Sequence, residues 1–458
     1  MPKSSNQDKL TKLSAGFPFF IYEEYTCLLE PKGLNISFHF NLGGCYHFHP
    51  KLFIPRKNWA FPDYILQPLL PSLAFHIGMI ELISYWKCAC PPKVIIKPAG
   101  LSREQILWWK KLYFLGLGEF FYLNSIVTDE HSFMNIEAGA EVFSSLATPE
   151  MNASAIIPVG GGKDSAVTLE MLKGSFDVMP FVLNSRGATS AVIEAAGIDP
   201  DRALLMARTI DPLLIELNAR GFLNGHTPFS ALLAFISLAA ALLTGRKYVV
   251  LSNESSANEP TIPGTNINHQ YSKSLEFEND FRFYVSKYIT HSIEYFSFLR
   301  PLNELQIASL FSGFAAYHKV FRSCNTGSKT NSWCGHCPKC LFTFIILAPF
   351  MGIERLTELF GKNLLEDAEL SHIFWQFTGA ADEKPFDCIG TIDEVNMALC
   401  ESIRLQQGKE LPFLLQNYMN SKEYEKFRGC DFMIPLKSYM PNNLPEPFGN
   451  ILKTALHA

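Results

Sequence analysis

Charge is scarce in this chain: Asp, Glu, Lys and Arg supply 18% of its 458 residues, while hydrophobic residues supply 48% and Phe alone occurs 38 times. So apolar a composition excludes a disordered protein and leaves ample material for a buried core. A basic surplus is also missing. Lys and Arg total 39 against 44 Asp and Glu, a net charge of -5, so the broad cationic footprint of a nucleic-acid binder is excluded. The opening stretch MPKSSNQDKLTKLSAG lacks the apolar segment of a secretory leader, which predicts a cytoplasmic protein. The longest apolar run, PFSALLAFISLAAALL at 228–243, carries Ser230 and Ser237. It falls short of the roughly 20 residues needed to cross a bilayer and reads as a buried core helix, with no membrane insertion expected. Internal repeats and low-complexity tracts are absent by inspection.

What is present is organised in stages. The first 150 residues mix short β-like runs (34–40, 45–48) with helical stretches, one starting at Ser102, whose spacing to Gln105 suits a capping box. Gly116 and Gly118 read as packing or turn glycines. From 155 onward, apolar runs at 155–159, 178–183, 204–207 and 248–252 alternate with helical segments, the pattern of a parallel α/β sheet. Pro158 belongs at a strand end, because a proline cannot donate to the ladder. The resulting expectation is an N-terminal α+β domain over 1–150 as the candidate substrate domain, an α/β domain over 151–320, a Cys-rich module over 321–345 and a mostly helical region over 346–458.

The sharpest local signal is IIPVGGGKDS at 156–165. An apolar strand runs into Gly160, Gly161 and Gly162, and a short helix, expected from about Ser165, ends near Gly174. Glycines let backbone amides approach an anion, and a helix N-terminus adds about half a positive charge. A Walker A loop is excluded, since Lys163 is followed by Asp164 and position 157 is Ile; a dinucleotide fingerprint would need Gly where Ser165 stands. An ordinary Gly-rich turn is the alternative. Downstream, Asn224-Gly225-His226-Thr227-Pro228 precedes the apolar helix, with Thr227 suited to the N-cap and Pro228 to the first turn. Asn253-Glu254-Ser255 follows a strand, and Asn268-His269-Gln270-Tyr271-Ser272-Lys273-Ser274 is dense in hydrogen-bonding groups. Beyond the carboxyl ends of parallel strands such residues would rim a ligand site; capped helix ends or solvated loops are the alternative reading of each segment.

Eleven cysteines is an odd number, and Cys324, Cys334, Cys337 and Cys340 crowd together. In a reducing compartment this suits tetrahedral zinc better than disulfides. A redox pair is the rival reading, and His336 could replace Cys324 as a ligand.

The Gly-Gly-x-Asp-Ser core at 161–165 resembles the loop of the PP-loop (HUP-type) ATP pyrophosphatases, with Gly160 in place of that family's first Ser. The resemblance implies that Gly160, Gly161, Gly162 and Ser165 hold pyrophosphate, with Lys163 as a mobile cation and Asp164 near Mg2+. Similar cysteine spacing recurs in the deazaguanine-forming branch, consistent with a structural Zn2+. Taken together, VGGGKDS, NGHTP, SNESSAN, NHQYSKSLEFE, SFLRPLNELQIA, WCGHCPKC and KPFDCIG are similar to the UDP-N-acetylmuramoyl-L-alanyl-L-glutamate epimerases over about 73–399. That resemblance implies use of ATP and magnesium to invert the terminal L-Glu of a UDP-activated muramoyl dipeptide, releasing AMP and pyrophosphate. Asp164, Lys163, His226, Glu254, His269, Lys273 and Cys324 become candidate catalytic groups. Asn253, Ser255, Tyr271, Ser272 and Arg300 become candidate substrate contacts. Another adenylating enzyme, such as a 7-cyano-7-deazaguanine synthase-like one, or a non-catalytic ATP-binding module, remain the other readings.

Overall fold

The computed structural model describes residues 4–457 apart from 263, 266, 325, 328, 329, 382 and 388; Cys388, within the KPFDCIG run, lies outside the described residues. Strands follow the chain as β1 (Phe19–Glu30), β2 (Gly33–Leu42), β3 (Tyr46–Phe48), β4 (Lys51–Pro55), β5 (Lys93–Gly100), β6 (Asn135–Gly139), β7 (Asn152–Pro158), β8 (Val178–Leu183), β9 (Leu204–Thr209), β10 (Arg246–Leu251) and β11 (Glu294–Ser297). With helices between them, the protein is mixed α/β. The chain forms two compact units, one from Met1–Ile156, Leu204–Val249 and Asn266–Tyr295, the other from Ile157–Ala203, Val250–Thr265 and Phe296–Ala458.

In the first unit, β2 pairs antiparallel with β1, β3 and β4, and β5 lies parallel to β1 and to β6. Alternation sets the register: Leu34, Ile36, Phe38, Phe40 and Leu42 are buried on one face of β2. The run at 204–207 forms β9 as expected, but it pairs antiparallel with β4. β7 and β10 do pair parallel, and β7 ends on Pro158.

The helix Leu70–Trp86 is buried on nearly every side, as is the helix Phe229–Thr244. Helices with so little polar surface belong inside a core, and these two pack together. Among the described residues no helix is long and apolar enough to cross a membrane. The expected cap is corrected by one position. Pro228, at φ -70° and ψ 68°, occupies the N-cap site and Thr227 does not cap the helix. The Pro228 ring is held against Gly116, where an added Cβ would come within 2.7 Å of it. The Ser102–Gln105 capping box is present, and the buried Glu81 carboxylate makes two hydrogen bonds, 2.7 and 2.8 Å, to Arg208 of β9.

In the second unit, β8 is an almost continuously buried apolar run, the signature of a strand covered on both faces. The helix Lys163–Leu172 packs on Glu304–Ser312, which packs on Pro338–Met351, and that helix on Ile392–Leu405. Capping boxes at Asn303–Gln306 and Thr391–Glu394 fix two of their starts.

Candidate functional site

The strand end leads into the glycine loop under hydrogen-bond control: the Val159 amide donates to the Phe181 carbonyl at 2.8 Å. Gly161 adopts φ +85°, and an added Cβ would lie 2.9 Å from the Ala188 carbonyl carbon and 3.0 Å from the Thr189 nitrogen. Both the dihedral and the backbone contact therefore demand glycine. Gly160 has open space where a side chain would go. The helix starts at Lys163, earlier than the sequence suggested, with Gly162 at the N-cap position. Its first intrahelical bond is from Ala166 to the Gly162 carbonyl. The amides of Lys163, Asp164 and Ser165 thus lack intrahelical acceptors and form the positive end of the helix. Ser165 Oγ donates back to the Gly162 carbonyl at 3.1 Å.

Lys163 is not extended into solvent. Its ammonium is buried and bonds Asp164 and Glu304. Burial alone would lower its pKa, but those two carboxylates outweigh burial and hold it above the ordinary lysine value. Burial pushes Glu304 well up, opposed by Lys163 and reinforced by Asp164, Glu254 and Glu394. Two carboxylates thus contact the ammonium, and Glu254 and Glu394 add negative charge near Glu304. Glu254 Oε1 accepts from Ser256 Oγ at 2.9 Å, whereas its buried Oε2 has no hydrogen-bond partner among the described residues. Arg300 is fully buried and donates to the Glu254 carbonyl at 2.7 Å and to Ser297 Oγ at 3.3 Å. Asn253 also donates to Ser297 Oγ, and the Ser255 amide donates to the Leu302 carbonyl. These predicted substrate contacts therefore brace the Glu254 segment.

The four cysteines converge. Cys324–Cys337, Cys334–Cys340 and Cys337–Cys340 sulfurs are 3.7, 3.6 and 3.5 Å apart. A tetrahedron with zinc–sulfur bonds of about 2.3 Å has sulfur–sulfur edges of about 3.8 Å, so the donor set fits that ion. His336 Nδ1 instead contacts the Cys334 carbonyl at 2.8 Å. The segment entering this cluster touches the glycine loop. Arg322 N donates to the Gly161 carbonyl at 2.8 Å, and Ser323 Oγ lies 3.1 Å from where a Gly162 Cβ would be.

In the first unit, His226 and His269 meet at Glu119. His269 Nδ1 bonds Glu119 Oε2 directly, His226 Nδ1 lies 3.4 Å from the same oxygen, and the two rings are 4.4 Å apart. Burial, with His269, Lys87 and Lys273 nearby, lowers His226 to about 3. Burial also lowers Lys87 to about 8, and its ammonium donates to the Gly225 carbonyl. Tyr271, Ser272 and Lys273 form a short 3-10 turn. Tyr271 and Ser272 are buried, and burial together with Asp280 and Glu276 raises the Tyr271 phenol.

Sequence reasoning singled out neither Glu119 nor Glu304. Glu304 sits inside the quoted SFLRPLNELQIA run, beside a capping pattern that could have drawn attention to it. Glu119 carries no local signal, because its partners are more than a hundred residues away.

Two family models match, the MurL N-terminal domain over residues 12–298 and the MurL C-terminal domain over 320–427. Relatives named UDP-N-acetyl-alpha-D-muramoyl-L-alanyl-L-glutamate epimerase are similar along most of their length. The Salinispora tropica protein is 38% identical over 335 residues, covering 70% of this chain and 71% of the relative. A Micromonospora protein is 35% identical over 390 residues, 82% and 84% respectively. The Xanthomonas oryzae pv. oryzae protein is 36% identical over 343 residues, 73% and 75%. No solved structure matches the chain. With one family model spanning more than half its length and relatives this similar, the chain belongs to the MurL family.

Proposed function

We propose that this protein is a cytoplasmic, ATP- and magnesium-dependent isomerase of peptidoglycan precursor synthesis, inverting the terminal L-Glu of UDP-N-acetylmuramoyl-L-alanyl-L-glutamate to D-Glu. The relatives' names supply the substrate. The observation that supports the use of ATP is the Gly160–Ser165 turn, a glycine-only backbone at Gly161 opening onto first-turn amides without a side-chain cap. In this reading 151–320 is a PP-loop domain, and the amides of 163–165 receive the pyrophosphate.

Removing the α-proton beside a free carboxylate would place a second negative charge next to the first. Attack of that carboxylate on the α-phosphorus expels pyrophosphate and leaves a neutral acyl group joined to AMP. The α-carbon then releases its proton, and the electron pair moves onto the acyl oxygen, where donors stabilise it. Reprotonation on the opposite face and hydrolysis of the anhydride yield D-Glu and AMP. A positioned base contributes about 100- to 10,000-fold; within the second unit we assign this role to Glu254, whose Oε2 is buried and unpartnered among the described residues. Asp164 is the half-exposed carboxylate on the loop, an oxygen donor of the kind magnesium takes, and the ion would screen the phosphates when bound. The Cys324, Cys334, Cys337 and Cys340 site holds structural zinc in this scheme.

Incubation with the L-Glu precursor, ATP and magnesium in heavy water should give D-Glu product carrying deuterium at the α-carbon, with stoichiometric AMP and pyrophosphate. Epimerisation without nucleotide cleavage, or persisting in Asp164→Ala, would refute the scheme.

A further inference from the structure

Outside the glycine loop and the cysteine cluster, one more set of side chains converges. Glu119, His226 and His269 come from three chain segments, and one ligand atom from each lies within 4.8 Å of the other two. All three are partly buried, with side-chain exposures of 12%, 24% and 12%. We propose that Glu119, His226 and His269 form a divalent transition-metal site, with zinc as the default ion.

Both imidazoles turn Nδ1 toward the same carboxylate oxygen, Glu119 Oε2. Each Nδ1 can donate its proton to that oxygen or, in the other tautomer, direct its lone pair to a cation held beside it. Tetrahedral zinc with bonds of about 2.0–2.1 Å to nitrogen and oxygen has donor–donor edges of about 3.4 Å. The His226–Glu119 separation is already 3.4 Å. The direct His269–Glu119 bond would open by a side-chain adjustment when the ion enters. Two histidines and one glutamate leave a tetrahedral ion a vacant position for water or a ligand oxygen, the donor set of catalytic rather than structural zinc.

The surrounding structure holds the donors in place. Gly116 meets Pro228 and Gly225 meets Phe120, where added Cβ atoms would come within 2.7 and 3.0 Å of those residues. The segments that carry Glu119 and His226 thus approach each other through glycines. The His226 turn is pinned further by Lys87 at the Gly225 carbonyl and by Asn124 Nδ2, which donates to the Asn224 carbonyl at 3.1 Å. Such support of a ligand's backbone preorganises a metal site. Lys87 and Lys273 oppose a cation there, so the site would hold its ion less tightly than the four thiolates hold theirs.

Cobalt titration of the full-length metal-free protein tests this, because thiolate-bound cobalt gives a strong near-ultraviolet charge-transfer band and nitrogen–oxygen-bound cobalt does not. The expected result is a second equivalent that adds only weak visible bands. Glu119→Gln should weaken that equivalent at least tenfold and leave the near-ultraviolet band intact. His226→Gln, at a more exposed position, should do the same, and circular dichroism verifies its folding. Saturation at one equivalent, or a second equivalent indifferent to both substitutions, would overturn the assignment.

Discussion

The Arg322 amide donates to the Gly161 carbonyl at 2.8 Å, and Arg322 is only two residues from Cys324. The positive-φ glycine of the loop is thus tied to the chain that enters the cysteine cluster. If that cluster loses its first thiolate, the segment 322–324 loses its anchor and the loop its brace. Cys324→Ser should therefore weaken ATP binding by at least about tenfold, or about 1.4 kcal/mol, with far-ultraviolet circular dichroism retained. Calorimetric titration with a non-hydrolysable ATP analogue measures this; unchanged affinity in a folded variant would uncouple the two features.

The glycines of the loop are not equivalent. Gly161→Ala forces a side chain into φ +85° and against the Ala188–Thr189 backbone. A destabilisation of about 1–3 kcal/mol is expected, with nucleotide binding lost. Gly160→Ala meets nothing within 4 Å and should keep both properties close to wild type. Urea midpoints and nucleotide affinity for the pair check this contrast.

Lys163 and Glu304 are both buried and bonded to each other. Lys163→Met strands the Glu304 carboxylate in the interior, and breaking such a pair costs about 3–5 kcal/mol. Adding Glu304→Gln should recover much of that loss. A double-mutant cycle from denaturant unfolding reads the coupling, and strict additivity would show that the pair is not formed.

His76 stands wholly inside the first unit, with Nδ1 donating to the Ser72 carbonyl at 2.7 Å and Nε2 without a partner among the described residues. Burial lowers it to about 4, opposed by the Ser72 bond. Between pH 6.5 and 4 the unfolded chain binds a proton that the folded one refuses, so acidification removes stability across that window. A shift of this size corresponds to at most about 3 kcal/mol. His76→Phe, in a pocket already lined by Phe75 and Phe235, should flatten unfolding midpoints over that range.

Local chemistry was legible in the sequence wherever a turn or a period encoded it. The capping box at Ser102, the strand at 178–183, the strand end at Pro158 and the crowding of four cysteines each depend on neighbours a few residues away. Pairings across long chain separations were not legible. The strand at 204–209 shows nothing in its residues to announce an antiparallel partner at 51–55, and Glu304 reaches Lys163 across more than a hundred residues. Thr227 has the chemistry of a helix cap, but the close fit of Pro228 to Gly116 decides the actual start.

The first unit draws on three separate stretches of chain, the last ending at Tyr295. Its core joins Leu70–Trp86 to Phe229–Thr244, a helix with almost no polar face to offer water. During synthesis the ribosome must therefore release the chain through Tyr295 before this unit can close. Until then its earlier part waits with a greasy surface uncovered, the condition that makes large nascent chains prone to aggregation.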